Sequence, residues 1–260
     1  QHENRILVSS NGVCPIGPSM NCGESGLGIR MFTPIAALCD QQILIEGKGS
    51  LVKRPMHFFD EILPKLGVQI KSNNGYLPIT IQGSLQTADI TVDGSLSSQF
   101  LTGLLMAYAG TGATDVSIHV SGLVSRPYID LTLSVMKQFG LSVPDNDNYQ
   151  TFTFKKSEPK DKPIARTYQV EGDWSGAAFL LVAAALSGEV TIEGINPTSF
   201  QADRQILSLR SFAALDMNVF ENSLFVAQSA IKAFEFDATD CPDLFPPLTA
   251  LAVFAKGTSR

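Results

Sequence analysis

Charged residues are scarce in this chain, and their scarcity excludes several classes of protein. Asp, Glu, Lys and Arg make up 17% of the 260 residues, and the formal net charge is −6. No stretch gathers lysine and arginine into the basic stripe that neutralises nucleic-acid phosphates, so we expect no nucleic-acid partner. Apolar runs of the roughly 18 residues that cross a bilayer are also missing, so we expect no membrane insertion.

Metal-binding and disulfide patterns are missing as well. The cysteines Cys14, Cys22, Cys39 and Cys241 form no CxxC pair, and none of the three histidines lies near them in the sequence. We therefore expect no structural metal and predict reduced thiols in a cytoplasmic protein. The chain starts with QHENRIL and stops at VFAKGTSR, directly after a predicted helix. We interpret it as a piece of a longer protein, truncated at both ends.

What the sequence does contain is an internal repeat. A loop of glycine or acidic residues with small hydroxyls is followed by a helix rich in Ala and Leu, and the pattern returns about every 70–80 residues. The four copies begin at Cys22, Asp93, Glu171 and Thr239. A second series keeps the same phase: a strand, a glycine loop, an Arg-Pro step at Arg54 or Arg126 and an amphipathic helix.

The repeated unit has the order β-α-β-α-β-β, which predicts an α/β fold with helices covering sheets. The chain is long enough for two domains. A polar segment, KKSEPKDKPIAR, separates the second unit from the third and is typical of an exposed connection. We therefore predict one domain over residues 1–167 and a second over 168–260.

The helix that follows VDGSLSSQ starts with several small polar residues. Ser97, Ser98 and Gln99 stand where it begins. Helix N-termini carry unpaired N–H groups and partial positive charge, so glycine and serine there favour a phosphate or carboxylate. Ordinary N-capping explains the serines equally well. Arg30, Arg54 and Arg126 add cations that suit an anion, although an exposed arginine is more often only solvated.

Four segments resemble a known family. GSLSSQFLTGLLMA, LVSRPYIDLTLSVMKQFG, EGDWSGAAFLLVAAAL and DATDCPDLFPPLTALAVFAKGT are similar, in order, to segments of the 5-enolpyruvylshikimate-3-phosphate (EPSP) synthases. The resemblance implies an inside-out α/β barrel in two domains, built from six such units. It further implies transfer of the enolpyruvyl group of phosphoenolpyruvate to the 5-hydroxyl of shikimate 3-phosphate, through a tetrahedral ketal. No metal or organic cofactor is implied, and the full-length enzyme is expected to be a monomer.

The resemblance also assigns roles to residues. Ser97, Ser98, Gln99, Ser125 and Tyr128 would bind shikimate 3-phosphate, with Gln99 also reaching phosphoenolpyruvate.

On the phosphoenolpyruvate side, the resemblance implies that Arg54 binds this substrate. Gly26 would lie against it and against the herbicide glyphosate, for which the family is the target. Asp243 would contact the shikimate 5-hydroxyl and act in proton transfer. A loop cap remains an alternative for Asp243, and a metal role through Asp237, Asp240 and Asp243 is a weaker one.

Some positions depart from the family pattern. Many relatives have Asn at the position of Glu24 and Thr at that of Leu27, so glyphosate sensitivity is not implied. The family's N-terminal Lys-Ser pair would precede residue 1, and a Lys-Glu-x-x-Arg segment, a His-Arg pair and a late Lys would follow Arg260. The isolated chain is therefore expected to be inactive, and one alternative function is a binding module for shikimate 3-phosphate.

A second alternative is the enolpyruvyl transferase that acts on UDP-N-acetylglucosamine, which uses a loop cysteine. Cys22 stands in the first loop, but its neighbours resemble the shikimate enzyme. A purely structural repeat protein with capped helices is a third alternative.

Overall fold

A computed structural model describes residues 5–10, 12–13, 17–95, 98–156 and 165–260. Ser97, one of the predicted site residues, lies outside these ranges. The chain divides into two units, the first comprising Gln1–Leu123 with Met136–Lys160 and the second Val124–Val135 with Asp161–Arg260. The boundary expected between residues 167 and 168 stays a prediction.

Two copies of the predicted repeat lie mostly in the first unit. The elements of the first copy are β1 (Ser19–Asn21), α1 (Gly26–Ala36), β2 (Ile43–Glu46), α2 (His57–Ile62), β3 (Gln69–Asn73) and β4 (Tyr76–Gln82). The elements of the second copy are β5 (Ile90–Asp93), α3 (Ser98–Thr111), β6 (Val116–Ser121), α4 (Arg126–Gln138), β7 (Asp145–Asp147) and β8 (Thr151–Phe154). Residues 124–135, which include most of α4, group with the second unit.

The two copies also share one sheet topology. The strand orders are β1-β2-β4-β3 and β5-β6-β8-β7. In each sheet the first two strands are parallel, because a helix connects them, and the last two form an antiparallel hairpin. The β-α-β-α-β-β prediction is therefore confirmed for this unit.

Helices α1 and α3 approach each other unusually closely at Gly103. A methyl group at this position would lie 2.6 Å from the Met31 carbonyl oxygen and 2.9 Å from that of Arg30. Only glycine leaves room for the backbone of a neighbouring helix at such a distance. Around this contact, the apolar side chains Phe100, Leu104 and Tyr108 are buried, so the helix pair forms part of the core of the unit.

The second unit contains a third, less complete copy. Its elements are α5 (Trp174–Ser187), β9 (Glu189–Glu193), α6 (Leu209–Phe212), β10 (Asp216–Val219) and β11 (Ser223–Ala227). The strand order is β10-β11-β9. Residues 165–173, directly ahead of α5, form no strand, so the described part of this copy departs from the β-α-β-α-β-β order. The fourth apolar segment forms α7 (Phe245–Phe254) after a short 3₁₀ turn over Pro242–Leu244.

The core of the second unit surrounds α5. Asp173 caps this helix, since its side chain accepts hydrogen bonds from the Ser175 and Gly176 backbone amides. The side chains of Trp174, Leu181 and Ile206 are fully buried. The Trp174 indole N–H donates to the Asn196 carbonyl at 2.9 Å, which satisfies its one polar group. In the parts of the chain that the structure describes, no helix has the length and apolar character needed to span a membrane.

Candidate active site

The start of α1 brings a glycine and an arginine together. Ser25 is the N-cap, and its Oγ accepts a hydrogen bond from the Gly28 amide at 2.9 Å. Gly26 is the first helical residue and is buried. Arg30 follows one turn later, so its side chain lies on the same face of the helix.

Arg54 and Gln99 join this group from other elements of the same unit. A Cβ at Gly26 would lie 2.6 Å from Nη1 of Arg54 and 3.5 Å from Nη1 of Arg30. Arg30 Nη1 donates to Oε1 of Gln99 at 3.0 Å. Gln99 is the second residue of α3. Two guanidinium groups thus lie against Gly26, and the side-chain amide of Gln99 is hydrogen-bonded to one of them.

This group carries positive charge without a protein counter-ion. Neither Arg30 nor Arg54 pairs with a carboxylate within the described ranges. Partial burial, and secondarily the charge of Arg54, lower the pKa of Arg30. Arg30 Nε is buried and has no hydrogen-bond partner in the described part of the chain. Two adjacent cations with an unused donor form a suitable site for a carboxylate or a phosphate.

The predicted helix start at Ser98 and Gln99 is confirmed. Ser98 is the first residue of α3 and is 7% exposed. Gln99 is half-buried. Of the predicted residues of the first unit, the structure therefore brings together Gly26, Arg54 and Gln99, and it adds Arg30, which the sequence analysis named only as a candidate cation.

In the second unit, Ser125 lies directly before α4. It is 9% exposed, and its φ of +56° falls in the left-handed region that L-residues rarely adopt. The Tyr128 backbone amide donates to the Ser125 carbonyl at 3.2 Å, which forms the first turn of the helix. The Arg126 backbone amide donates to Oδ1 of Asp240 at 3.2 Å. This contact ties the start of α4 to the loop that carries Asp243.

Tyr128 and Asp243 form a pair in the second unit. The Tyr128 hydroxyl donates to Oδ2 of Asp243 at 3.4 Å. Burial raises the pKa of Tyr128, and the negative charges of Asp203 and Asp243 raise it further. The tyrosine therefore stays protonated, and it can donate a hydrogen bond throughout the ordinary pH range. Asp243 itself is exposed and accessible to a small molecule.

Asp203 and Ser175 were missed by the sequence analysis. Asp203 is only 2% exposed, and its Oδ2 accepts a hydrogen bond from the Ser175 hydroxyl. No local pattern in the sequence marks Asp203, which stands directly before Arg204. Arg204 itself bonds to the Pro197 carbonyl at 2.8 Å.

Two cysteines, one in each unit, are weak nucleophiles. Burial raises the pKa of Cys22. Burial, followed by the charges of Asp203, Asp240 and Asp237, raises the pKa of Cys241 to about 12. Both thiols therefore stay protonated near neutral pH, and only a thiolate attacks efficiently. Across the described residues, no three His, Cys, Asp or Glu side chains converge as a metal site would require.

The repeated sheets belong to a known class of fold, that of the enolpyruvyl transferases. An EPSP synthase from Acinetobacter baumannii superposes with a TM-score of 0.71 at 22% identity, over 95% of this chain and 57% of that one. An enolpyruvyl transferase from Streptomyces tendae superposes with a TM-score of 0.64 at 15% identity, over 88% of this chain and 55% of that one.

Sequence similarity narrows the class. The model of the EPSP synthase (3-phosphoshikimate 1-carboxyvinyltransferase) family matches residues 2–260, and the chain belongs to this family. A 3-phosphoshikimate 1-carboxyvinyltransferase from Methanocorpusculum labreanum is 40% identical over 99% of this chain and 61% of its own length. A 3-phosphoshikimate 1-carboxyvinyltransferase from Clostridium novyi is 31% identical over 93% of this chain and 55% of its own length. The chain thus spans little more than half the length of these relatives.

Proposed function

We propose that this chain is part of a cytoplasmic enzyme that transfers the enolpyruvyl group of phosphoenolpyruvate to the 5-hydroxyl of shikimate 3-phosphate. The hydroxyl oxygen adds to C2 of phosphoenolpyruvate while C3 takes up a proton, which gives a tetrahedral ketal. Loss of the proton from C3 and of inorganic phosphate from C2 then gives 5-enolpyruvylshikimate 3-phosphate. This step belongs to the shikimate pathway, which leads to chorismate and the aromatic amino acids.

The observation that carries the proposal is the uncompensated cationic group of the first unit. Arg54 and Arg30 lie against Gly26 and have no carboxylate partner among the described residues. Phosphoenolpyruvate carries a planar carboxylate and a tetrahedral phosphate. A guanidinium group can bind either oxyanion through two N–H donors. Gln99, which Arg30 holds at 3.0 Å, would then contact both substrates.

The proposed binding of shikimate 3-phosphate rests on the two serine segments. Ser97, Ser98 and Ser125 would donate hydroxyls to its phosphate, and Tyr128 would lie along its ring. Asp243 would accept the proton of the 5-hydroxyl, because its carboxylate is exposed and within hydrogen-bond reach of Tyr128. We propose that both substrates are small molecules bound by a monomer.

The enolpyruvyl transferase of UDP-N-acetylglucosamine is the less favoured alternative. That activity uses a loop cysteine, and burial raises the pKa of Cys22, the cysteine of the first loop. A protonated, half-buried thiol does not supply the nucleophile.

The direct test is an assay of the complete polypeptide that contains this chain. Mixed with phosphoenolpyruvate and shikimate 3-phosphate, it should release inorganic phosphate at a rate that depends on the concentration of each substrate. Replacing shikimate 3-phosphate by UDP-N-acetylglucosamine is the matched control. Phosphate release from phosphoenolpyruvate with the nucleotide sugar, and none with shikimate 3-phosphate, would overturn the proposal.

The isolated chain of 260 residues tests the binding-module alternative. Calorimetric titration should show weak binding of shikimate 3-phosphate and no turnover with both substrates. Tight binding of phosphoenolpyruvate to the isolated chain would contradict the expectation that further cations are needed.

Replacing Gly26 by alanine should weaken phosphoenolpyruvate binding selectively. The new methyl would lie 2.6 Å from Nη1 of Arg54, so the guanidinium must move. We expect the KM for phosphoenolpyruvate to rise about tenfold, which corresponds to roughly 1.4 kcal/mol of lost binding. Steady-state kinetics of the complete enzyme measures it. The KM for shikimate 3-phosphate and the melting temperature should change little, because a flexible side chain can give way.

Leu27→Ala is the control for this substitution. Leu27 is the next residue of α1 and is 50% exposed, so trimming it leaves the arginine group untouched. An equal rise of KM in both variants would show that the effect comes from the helix as a whole.

A further inference from the structure

The carboxyl of Asp203 is an unusual group in the second unit. It is 2% exposed, and Ser175 donates a hydrogen bond to its Oδ2. Its Oδ1 is fully buried and has no hydrogen-bond partner among the described residues. Within those residues no arginine or lysine forms an ion pair with it. A buried oxygen of this kind loses its hydration without compensation.

The groups around Asp203 increase this cost. Asp173, the cap of α5, and Asp243, in the turn before α7, both act on it with negative charge. Burial raises the pKa of Asp203, and these two charges raise it further. Hydrogen bonding from Ser175 and from Tyr128 lowers it in part. The buried thiol of Cys241 is a further titratable neighbour.

Nothing in the packing of this unit requires a carboxylate at this position. Ile206, three residues further along the chain, and Leu244 are fully buried in the apolar core of the same unit. A neutral residue of the same shape would avoid the loss of hydration and the repulsion from Asp243. An acidic group that lowers stability and lies beside the proposed site is a candidate for a role in function.

We propose that Asp203 is a positioning residue for the enolpyruvyl transfer: held by Ser175, its carboxylate orients the Tyr128 hydroxyl and thereby the carboxyl of Asp243. The inference rests on the proposed function, since it assigns Asp203 a part in that reaction. No substrate contact is assigned to Asp203 itself.

The mechanism follows from the single proton of the tyrosine. The Tyr128 hydroxyl donates to Asp243 and also lowers the pKa of Asp203, yet it can donate its proton to only one carboxyl at a time. An ionised Asp203 is a strong second acceptor, and it fixes the angle at which the hydroxyl meets Asp243. When Asp203 is protonated or replaced, this constraint is lost and Asp243 presents its oxygens to the substrate less accurately.

Asp203→Asn separates this role from a structural one. Asparagine keeps the shape and can still accept the Ser175 hydrogen bond, but it removes the charge. We expect kcat of the complete enzyme to fall about tenfold with little change in either KM. The same variant should raise the melting temperature of the 260-residue chain at pH 7 by about 2–4 °C.

The gain in stability should depend on pH in a defined direction. The folded-state pKa of Asp203 is raised, so the wild-type charge is unfavourable above that pKa and absent below the ordinary aspartate value. The stability difference between Asp203→Asn and wild type is therefore full above the raised pKa. It declines as the pH falls below the raised pKa, and it is absent below the ordinary aspartate pKa. Thermal unfolding between pH 4 and 7, at roughly half-unit steps, measures it.

Ser175 supplies a second, independent variant. Ser175→Ala removes the hydrogen bond that lowers the pKa of Asp203, so this pKa rises further. The acid side of the pH profile of kcat should then move to higher pH. Ser175→Thr keeps the hydroxyl, and we expect it to retain the wild-type profile.

The controls and outcomes separate this inference from the function on which it rests. Asp216→Asn, an exposed aspartate at the start of β10, should leave kcat, the pH profile and the melting temperature unchanged. Absence of enolpyruvyl transfer in the wild type would overturn the proposed function and this inference with it. An active wild type with unchanged kcat in Asp203→Asn would overturn the inference alone. A lower melting temperature together with lower kcat would show that Asp203 is a structural residue.

Discussion

Asp243→Asn should lower kcat of the complete enzyme about a thousandfold, the usual scale for loss of a general acid or base. The amide keeps the size of the side chain and can still accept the Tyr128 hydrogen bond, which is 3.4 Å long in the wild type. It cannot take up the proton of the shikimate 5-hydroxyl. Because geometry is kept, the KM values for both substrates should stay within about threefold, and the loss falls on kcat. Steady-state phosphate release measures it.

The matched control for this prediction is Asp237→Asn. Asp237 stands in the same loop and caps it by accepting the Thr239 amide at 2.9 Å, a bond that asparagine can keep. Its kcat should match the wild type. Wild-type rates in Asp243→Asn would remove Asp243 from the chemistry. Equal losses in both variants would point instead to the fold of the loop.

Gly103→Ala should lower the free energy of unfolding by about 3 kcal/mol, the upper end for overpacking of a core. The new methyl would lie 2.6 Å from the Met31 carbonyl oxygen and 3.0 Å from the Met31 Cα. These are backbone atoms of α1, so the two helices must separate, whereas a side chain could have turned aside. Urea unfolding of the 260-residue chain measures the change. The same separation stretches the Arg30–Gln99 hydrogen bond.

Gly110→Ala is the matched control, because it lies on the same helix. A methyl there would meet only the end of the Leu38 side chain, at 3.1 Å. The higher helix propensity of alanine, worth about 1 kcal/mol, offsets this contact. We expect the free energy of unfolding to change by less than about 1 kcal/mol. A similar loss in both variants would mean that Gly103 marks no special contact.

The sequence predicted the organisation of the first unit well because its repeat was regular. Apolar helices and β-branched strands alternate in phase, and glycines end or open them at matching positions in both copies. Local pattern and tertiary structure therefore agree, and the β-α-β-α-β-β order is confirmed with the same sheet topology twice. The helix start at Ser98 was predicted for the same reason.

The third copy was predicted less well. Residues 165–173 form no strand ahead of α5, and Glu171 is instead bound by the side chains of Ser199, Asn196 and Gln201. A strand needs a partner on the sheet as well as a suitable local sequence, and periodicity within a segment does not report the partner.

The site was predicted in its residue types but not in all of its contacts. The motif Ser-Ser-Gln and the Arg-Pro step indicated anion binding, and Gly26, Arg54 and Gln99 do come together within the first unit. Asp203 could not be predicted, because its importance comes from burial and from neighbours that lie about 30 to 75 positions away along the chain, contacts that sequence periodicity does not encode.

The contact at Gly103 has a consequence for recombination among relatives. The backbone of α1 belongs to the first copy of the repeat and that of α3 to the second, and the two meet with no side chain between them. A chimera with its crossover in the segment between β4 and β5 would join an α1 from one parent to an α3 from another. A small difference in helix position, harmless within either parent, would then make the backbones of α1 and α3 collide at this point. The two copies are therefore exchangeable between relatives as a pair, and each is a poor donor on its own.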